Sequence, residues 1–441
     1  MSKKVFLKGT LILACTGLVS RIAGFFYRIF LSHAIGAEGL GLYQLILPLQ
    51  GLMAALSYTG IQSALSRLIA SRLALQEKKE AYFSLVTGIF AAVFFSAVTG
   101  FLLFRHADFF ASTILKAPGT SDLLRLTAAS IPLCAIHSCI DSYYYARKKA
   151  SVPAAVQLSE QTVRIGATYI LYLIFLSEGR PVTAMIAAGG SLAGEAAASL
   201  ISLLMVSFHF GNHPVKEKTS VKIFPLIKDL FTLSFPISLN RILLTLLGSI
   251  EAVLIPQMLI RCGMTSSETL KIYGIFTGMA LPLLLFPSTI TTSAAVMLMP
   301  SVARMDALGD QKQIRYVTDQ TFFLCMFLGF LCGSGFFLFG PFLGTLLFHS
   351  KTAGTYIRYL SFICPFLYTN TMLASILQGL GRPGRCLIHS AAGILIRIFS
   401  VVFMIPAIGI RGYFYGIFLG ELLLSLLHVK ALKFPYRQAG D

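Results

Sequence analysis

Charged residues are scarce in this chain, and acidic residues are the scarcest of them. Asp, Glu, Lys and Arg make up 12% of the 441 residues, with 18 acids against 36 bases. Soluble domains typically carry about 25% charged residues, so the composition excludes an ordinary soluble globular protein. The short loops also lack the clustered acids that a membrane-embedded glycosyl or phosphoryl transferase needs at its aqueous face. We therefore expect no enzyme and no catalytic residues.

Motifs for metals, redox chemistry and nucleotides are missing as well. The eight cysteines include no CxxC pair, which argues against a metal site or a disulfide framework. The sequence contains no GxxxxGK[ST] motif, so we expect neither ATP hydrolysis nor a bound cofactor. The excess of bases is spread over short loops and is not gathered on one face with aromatic residues, a pattern that argues against nucleic-acid binding.

Long apolar runs dominate what is present. Hydrophobic residues make up 56% of the chain, and they recur in stretches near the ~20 residues that a helix needs to cross a bilayer. We predict an all-α integral membrane protein with twelve transmembrane helices. Pro256 in the seventh span and Pro282 and Pro287 in the eighth predict kinks or broken turns. The predicted spans are 9–31, 42–65, 81–104, 122–145, 153–176, 183–207, 229–260, 272–299, 317–340, 355–378, 387–408 and 412–430.

Lysine and arginine are distributed unequally between the two sides of these spans. Of the 36 bases, 22 fall on the side of the N-terminus, 7 fall on the opposite side and 7 lie within spans. Short loops that are rich in lysine and arginine stay in the cytoplasm. We therefore expect a multi-pass protein with an even number of spans and with both termini in the cytoplasm.

The chain repeats several of its motifs. In each half a lysine precedes an arginine of the first span by thirteen residues, and a base precedes an arginine of the fifth span by fifteen. A Gly-Glu-x-x-x-Ser-Leu motif occurs in both the sixth and the twelfth span. The corresponding residues are Lys8 and Arg21 with Lys228 and Arg241, Lys149 and Arg164 with Arg382 and Arg397, and Gly194 and Glu195 with Gly420 and Glu421.

These correspondences indicate an internal duplication. We predict an N-terminal six-helix bundle at 1–210, a cytoplasmic linker at 211–228, and a C-terminal six-helix bundle with a short tail at 229–441. Because each half has six spans, both halves start in the cytoplasm and the repeats are parallel. This architecture predicts a substrate site near the midplane and alternating access by rocking of the bundles.

Arginines inside the spans indicate the chemistry of the substrate. A guanidinium at bilayer depth costs roughly 2.5–3.5 kcal/mol, so it normally faces a polar cavity or a paired acid. Arg21 and Arg28 lie seven residues apart, on one face of the first span. Since the arginine fork binds phosphate oxygens in bidentate fashion, we expect both to line a cationic cavity for a phosphorylated or carboxylated substrate. An interhelical salt bridge is the alternative. Arg164, Arg241 and Arg397 complete the predicted substrate-binding set.

Four acids within the spans allow two interpretations. Glu160 precedes Arg164 by four residues, which is the favourable order for an ion pair within a helix. Glu195, Glu251 and Glu421 are either partners of the arginines at helix-packing sites or coupling sites of an antiporter. The alternative function is therefore a proton- or sodium-coupled multidrug or organic-cation antiporter.

Several segments resemble one known family. Residues 6–10 (FLKGT), 20–25 (SRIAGF) with Arg28, and 35–43 (IGAEGLGLY) are similar to the opening of the stage V sporulation protein B family. The stretch 143–164 and the Gly194-Glu195 pair match the same family. It belongs to the multidrug/oligosaccharidyl-lipid/polysaccharide exporter superfamily, which also contains the lipid II flippases and the multidrug and toxin extrusion antiporters.

The resemblance implies a fold and a function. It implies two helical bundles that move an undecaprenyl-diphosphate-linked glycan, such as a peptidoglycan precursor, from the inner to the outer leaflet of the bacterial cell membrane. The partners would be the lipid-linked glycan and membrane lipids, and we expect a monomeric transporter with H+ or Na+ as its coupling ion.

The chain departs from the lipid II flippases in three ways. Their second arginine of the first span lies one place earlier than Arg28, and their arginine of the eighth span falls near Pro282. Arg241 is the expected substitute for the latter. Those proteins and the longer sporulation relatives usually have fourteen spans, against the twelve predicted for this chain.

Overall fold

The computed structural model describes residues 3–212 and 223–433. Its regular elements in these ranges are all helical, and no strand occurs among them. In the range 3–212 the helices are α1 Lys3–Ala34, α2 Gly36–Ser57, α3 Thr59–Ala74, α4 Lys78–Arg105, α5 Ala107–Phe109, α6 Ser121–Ala146, α7 Ser151–Ser177 and α8 Met185–Asn212, with a π-helical turn at Phe110–Ile114 and a 3-10 turn at Pro118–Thr120.

The range 223–433 continues in the same way. Its helices are α9 Ile223–Arg261, α10 Ser266–Gly274, α11 Leu281–Leu285, α12 Ser288–Ala307, α13 Gln311–Phe348, α14 Lys351–Leu360, α15 Cys364–Gly379, α16 Pro383–Phe403, α17 Ile405–Ile408 and α18 Ile410–Lys433. A π-helical turn at Ile275–Ala280 joins α10 to α11, and a 3-10 turn at Ser361–Ile363 joins α14 to α15.

Each of the twelve predicted spans coincides with one long helix or with consecutive helices of these ranges. Ten helical segments among the described residues are long and apolar enough to cross a membrane. The two predicted spans outside those ten are α1 and α7, which contain Arg21, Arg28 and Arg164. The all-α membrane fold is therefore confirmed, and a count of twelve agrees with the helices observed.

The prolines of the seventh and eighth spans affect their helices differently. The helix is interrupted at Pro287, since α11 ends at Leu285 and α12 begins at Ser288. Pro282 lies in the first turn of α11, directly after the π-helical turn, where its missing N–H is tolerated. By contrast, α9 continues through Pro256 without a break.

The helices form two compact units. The first unit comprises Met1–Tyr27 and Ala34–Ser249, and the second comprises Arg28–His33 and Ile250–Asp441. The division falls inside α9. The predicted linker at 211–228 lies largely outside the described residues, because 213–222 are not among them. The domain boundaries 1–210, 211–228 and 229–441 therefore stay a prediction.

A stripe of glycines on α13 organises the packing of the second unit. Gly329, Gly333, Gly340 and Gly344 are all buried and follow one another at intervals of four, seven and four residues, so they lie on one face of the helix. A Cβ added at Gly344 would lie 2.2 Å from the backbone nitrogen of Gly354 in α14. Only a residue without a side chain allows the two backbones to approach so closely.

This packing predicts that Gly344→Ala destabilises the protein. Because the obstructing atoms belong to the backbone of α14, the helices must separate, and overpacking of this kind costs about 1–3 kcal/mol. The apparent melting temperature in detergent should fall.

The matched control is Gly335→Ala on the same helix, where an added Cβ meets nothing within 4 Å. It should leave the melting temperature unchanged or raise it slightly, since alanine favours helix. Equal melting temperatures for both variants would contradict the close contact.

Candidate functional site

A cluster of ionisable side chains lies inside the first unit, and we call it the first-unit centre. It consists of Glu160 and Arg164 on α7, Glu195 on α8, and His137 and Asp141 on α6. The Arg164 guanidinium donates to Glu160, and its Nη2 atom lies 3.3 Å from Oε1 of Glu195. The other oxygen of Glu195 lies 2.9 Å from Nε2 of His137. These contacts connect three helices through charged groups.

Small residues on α8 make these contacts possible. A Cβ at Gly194 would lie 2.9 Å from the carbonyl oxygen of Glu160, and one at Gly190 would lie 1.9 Å from Oγ1 of Thr168. The α8 backbone therefore lies directly against α7, and Glu195, the residue after Gly194, reaches Arg164. The Gly194-Glu195 pair thus combines a packing residue with an ion-pair residue.

The second unit contains a corresponding cluster, the second-unit centre. Glu251 on α9 accepts two hydrogen bonds from Arg397 on α16, at 2.7 Å from Nε and 3.1 Å from Nη2. Nη1 of Arg397 lies 3.3 Å from Oε1 of Glu421 on α18. The hydroxyl of Tyr413 donates to Glu251 over 2.6 Å, and the amide of Asn370 donates to Oε2 of Glu421 over 2.8 Å.

The two centres correspond at three positions: the arginine, the glutamate of the Gly-Glu motif and one further side chain. The arginine lies 3.3 Å from the glutamate of the Gly-Glu motif in both, between Arg164 and Glu195 and between Arg397 and Glu421. The second oxygen of that glutamate contacts a side chain placed 27 residues before the arginine, which is His137 in the first unit and Asn370 in the second. The duplicated motifs therefore form duplicated structures.

A second pair of glycines shows the same use of small residues. A Cβ at Gly416 of α18 would lie 2.3 Å from Cβ of Ser400, and one at Gly420 would lie 3.0 Å from Cγ of Arg397. Close approach of α18 to α16 brings Glu421 to Arg397, as close approach of α8 to α7 does in the first unit.

Each centre sets one arginine between two carboxylates, so the acids outnumber the base when both are ionised. An uncompensated charge is costly away from water. In the first unit His137 supplies a further proton site, with Nδ1 3.9 Å from Asp141. In the second unit the additional donors, Tyr413 and Asn370, are neutral. The second-unit centre is therefore suited to hold one additional proton or one small cation, and its coupling role stays a prediction.

The remaining predicted arginines have different surroundings. Arg21 on α1 and Arg241 on α9 belong to the first unit and are exposed, whereas Arg28 is half-buried and belongs to the second. In the described part of the chain the Arg241 guanidinium has no carboxylate partner. The guanidinium groups of Arg164 and Arg397 are already held by acids. A substrate-binding role stays a prediction for all five.

Sequence reasoning missed the partners of the glutamates. Apart from the arginines and glutamates, the side chains of the two centres are not among the site residues that the sequence predicts; they are His137, Asp141, Asn370 and Tyr413. The equal separation of 27 residues between His137 and Arg164 and between Asn370 and Arg397 was the available signal. It pairs unlike residue types and is visible only after the halves have been aligned on their arginines.

One group of side chains has the geometry of metal ligands. Single donor atoms of Cys134, His137 and Glu195 lie within 4.8 Å of one another. His137 and Glu195 already hydrogen-bond to each other in the first-unit centre, and the expectation of no metal site stays a prediction.

Comparison with known proteins assigns the chain to a family. The family described as "Polysaccharide biosynthesis protein" matches residues 6–306, which is more than half of the chain. The chain belongs to this family. It is also 30% identical over 440 residues to stage V sporulation protein B of Bacillus subtilis (strain 168), covering 97% of this chain and 83% of that protein.

Solved structures show the same fold. A lipid II flippase, MurJ, in an inward closed conformation superposes with a TM-score of 0.73 at 14% identity, covering 96% of this chain and 88% of that one. An inward-facing multidrug resistance MATE family transporter superposes with a TM-score of 0.66 at 16% identity, covering 95% and 99%.

These relationships support three general statements. The polysaccharide biosynthesis family member described here is a multi-pass bacterial membrane protein of the multidrug/oligosaccharidyl-lipid/polysaccharide exporter superfamily. It is a flippase or exporter by relationship. Its substrate, its coupling ion and the orientation of its termini belong to the proposal below.

Glu251→Gln should destabilise the protein strongly. Glu251 is buried and accepts two hydrogen bonds from Arg397 and one from Tyr413, so its neutralisation leaves the Arg397 guanidinium with weaker compensation. Removing one partner of a buried ion pair typically costs about 3–5 kcal/mol. Thermal unfolding in detergent, followed by size-exclusion chromatography of heated samples, measures the effect.

Glu178→Gln is the control for this change. Glu178 forms an ion pair with Arg180, and the two side chains are 45% and 66% exposed. Surface pairs contribute about 0–1 kcal/mol. If Glu251→Gln unfolds at the same temperature as Glu178→Gln, the bidentate contact does not stabilise the unit.

The correspondence of the centres predicts that His137→Asn is tolerated better than His137→Leu. An asparagine amide can donate to Glu195 as Asn370 donates to Glu421, whereas leucine leaves Glu195 with one donor fewer. The same thermal assay should rank the wild type and the Asn variant close together and the Leu variant lowest. An Asn variant as unstable as the Leu variant would refute the proposed equivalence.

Proposed function

We propose that this protein moves an undecaprenyl-diphosphate-linked oligosaccharide or peptidoglycan precursor from the inner to the outer leaflet by alternating access. The diphosphate binds to arginines in a cationic cavity, the glycan passes through the hydrated interior, and the prenyl chain remains in lipid. Both termini lie in the cytoplasm, as the bias of 22 to 7 in basic residues indicates.

This proposal rests on which charged side chains of the membrane helices have a partner of opposite charge and which do not. All four predicted coupling acids are engaged by arginine: Glu160 and Glu195 by Arg164, and Glu251 and Glu421 by Arg397. Arg241, in contrast, is exposed on α9, without a carboxylate partner in the ranges the structure describes. The positive charge without an acidic partner is therefore that of Arg241, and a guanidinium of this kind favours an anionic headgroup.

We assign the predicted arginines to two roles. We assign Arg21, Arg28 and Arg241 to the diphosphate, because arginine binds phosphate oxygens through two parallel hydrogen bonds and keeps its charge when it is partly desolvated. We assign Arg164 and Arg397 to the stability of their units, since carboxylates already occupy their donors.

An ion gradient or the membrane potential resets the empty carrier. One elementary charge that crosses 100 mV gains about 2.3 kcal/mol, enough to bias the equilibrium between two conformations. The second-unit centre, with two carboxylates for one arginine, is the proposed site of the coupling proton or sodium ion. The transporter acts as a monomer.

The organic-cation antiporter is the weaker candidate. Such an antiporter needs acids that exchange a cationic drug for a coupling ion, and here an arginine lies within 3.3 Å of Glu195, Glu251 and Glu421. Because the guanidinium already contacts these carboxylates, a bulky organic cation would have to displace it, whereas a proton or a small ion would not. The fold shared with MATE transporters does not decide between the two functions.

Arg21→Ala should reduce glycolipid translocation by about ten- to hundredfold, because a lost charge-assisted hydrogen bond costs about 1.5–3 kcal/mol and 1.4 kcal/mol is a factor of ten. The measurement uses proteoliposomes loaded with a fluorescent undecaprenyl-diphosphate oligosaccharide, with a membrane-impermeant quencher to report the exposed fraction. Arg241→Ala should also lower the rate of glycolipid translocation.

The control is Arg180→Ala, a change at an exposed arginine in the turn after α7. It should insert, fold and translocate like the wild type. Unchanged translocation by Arg21→Ala would remove the proposed diphosphate site. Drug efflux that is lost in Glu195→Gln or Glu421→Gln and retained in Arg21→Ala would establish the antiporter instead.

A further inference from the structure

A groove lined by aromatic rings lies in the second unit, and we call it the aromatic groove. It consists of two adjoining cavities of about 400 and 550 Å³, which share Phe362 and Phe418 as lining residues. Helices α13, α14, α15 and α18 contribute to it, together with the 3-10 turn Ser361–Ile363. Ligand sites typically enclose about 300–1,000 Å³, so each cavity is large enough for part of a lipid chain.

The lining is apolar and accessible from outside the protein. Phe330 is 58% exposed, Phe362 is 56% exposed and Tyr415 is 57% exposed. Exposed apolar side chains are ordinary on a helix that faces lipid, but here they border a concave surface. A flexible hydrocarbon chain fills such a surface better than a rigid helix does, because it follows the groove with few lost contacts.

One arginine lines the aromatic groove, and a second contacts one of its lining residues. Arg411 lines the smaller cavity, with its guanidinium carbon 5.6 Å from the centre of the Tyr359 ring. Arg358 lies 5.0 Å from the centre of the Phe337 ring, and its Nε donates to the carbonyl oxygen of Phe337 over 3.1 Å. Neither arginine has a carboxylate partner within the described ranges. An apolar groove with cations beside it that lack acidic partners complements a lipid that has an anionic head.

Arg411 is placed to contact a lipid headgroup at the membrane surface opposite the N-terminus. Arg411 begins α18 and Phe418 lies seven residues further along it, which corresponds to about 10 Å at 1.5 Å per residue. The groove therefore extends from this membrane surface towards the middle of the bilayer. The excess of bases on the N-terminal side assigns this surface to the outside.

We propose that the aromatic groove binds the isoprenoid chain of the polyprenyl diphosphate carrier after translocation, with the diphosphate held by Arg411 and Arg358. This inference rests on the proposed function and adds a second site for the same lipid, separate from Arg21. The groove holds the part of the chain nearest the headgroup, and the rest remains in the bilayer. The site retains the carrier lipid in the outer leaflet before release.

Photocrosslinking tests the groove without any translocation. The protein is placed in phosphatidylcholine nanodiscs with a polyprenyl diphosphate that carries a diazirine near the head of its chain, and labelled peptides are mapped by mass spectrometry. Labels are expected on α14, α15 and α18 around Phe362 and Phe418. Unlabelled polyprenyl diphosphate should compete, and phosphatidic acid, with a phosphate head and two acyl chains, should not.

Ser334→Trp fills the groove from an exposed position on α13 that lines the larger cavity. It should reduce labelling at least about fivefold. Phe339→Trp, at a 59% exposed position of the same helix outside the lining, is the matched control and should leave labelling unchanged. Arg411→Gln should weaken labelling, and Lys351→Gln, at an exposed cation near the same surface, should not.

The outcomes separate this inference from the proposed function. Arg21→Ala should lose translocation and keep the label in the groove. If the wild type translocates the glycolipid but labels elsewhere, or if phosphatidic acid displaces the probe equally well, the groove is not a carrier site while the flippase proposal stands. If the wild type neither binds nor translocates the polyprenyl diphosphate, both proposals fail.

Discussion

The contact between a half-buried arginine and two carboxylates is the constraint on which each unit depends. Arg164 and Arg397 lie on membrane helices, where a guanidinium without a partner is costly. Arg164 contacts Glu160 of its own helix and Glu195 of α8, whereas both acids of Arg397 come from other helices. Each contact between helices requires that they pack at a defined depth and rotation. Glycines at 190, 194, 416 and 420 remove the side chains that would keep the helices apart. In this fold the ion pairs between helices therefore depend on close packing of the helix backbones.

The same constraint separates the arginines by role. A guanidinium held by two acids has few donors left for a ligand, whereas exposed Arg241 keeps all of its own. A carrier for a lipid-linked diphosphate needs both kinds, since its bundles must stay intact while its interior binds an anion reversibly. The proposed substrate also has an apolar chain. The aromatic groove, which has Arg411 in its lining, matches an apolar chain with an anionic head and lies apart from the ion-pair centres.

Much of the fold could be predicted because it follows from local properties of the chain. The length of the apolar runs and the position of lysine and arginine define the spans, and Pro287 marks a break that the structure contains. The candidate site was harder to predict from the sequence. Glu160 and Arg164 are neighbours on one helix, but the contacts of Glu195 with His137 and of Glu251 with Arg397 join residues 58 and 146 positions apart. No local pattern encodes such distances.

The amino-acid sequence by itself determined the membrane class, the helices, the repeated motifs and the excess of positive charge, because these depend on residue type and spacing along the chain. Only the tertiary structure decided which acid compensates which arginine and where apolar side chains enclose a groove. Pairing and enclosure depend on how helices pack side by side. A change of one residue in register would turn Glu195 or Glu421 away from its arginine, since successive helical residues point about 100° apart.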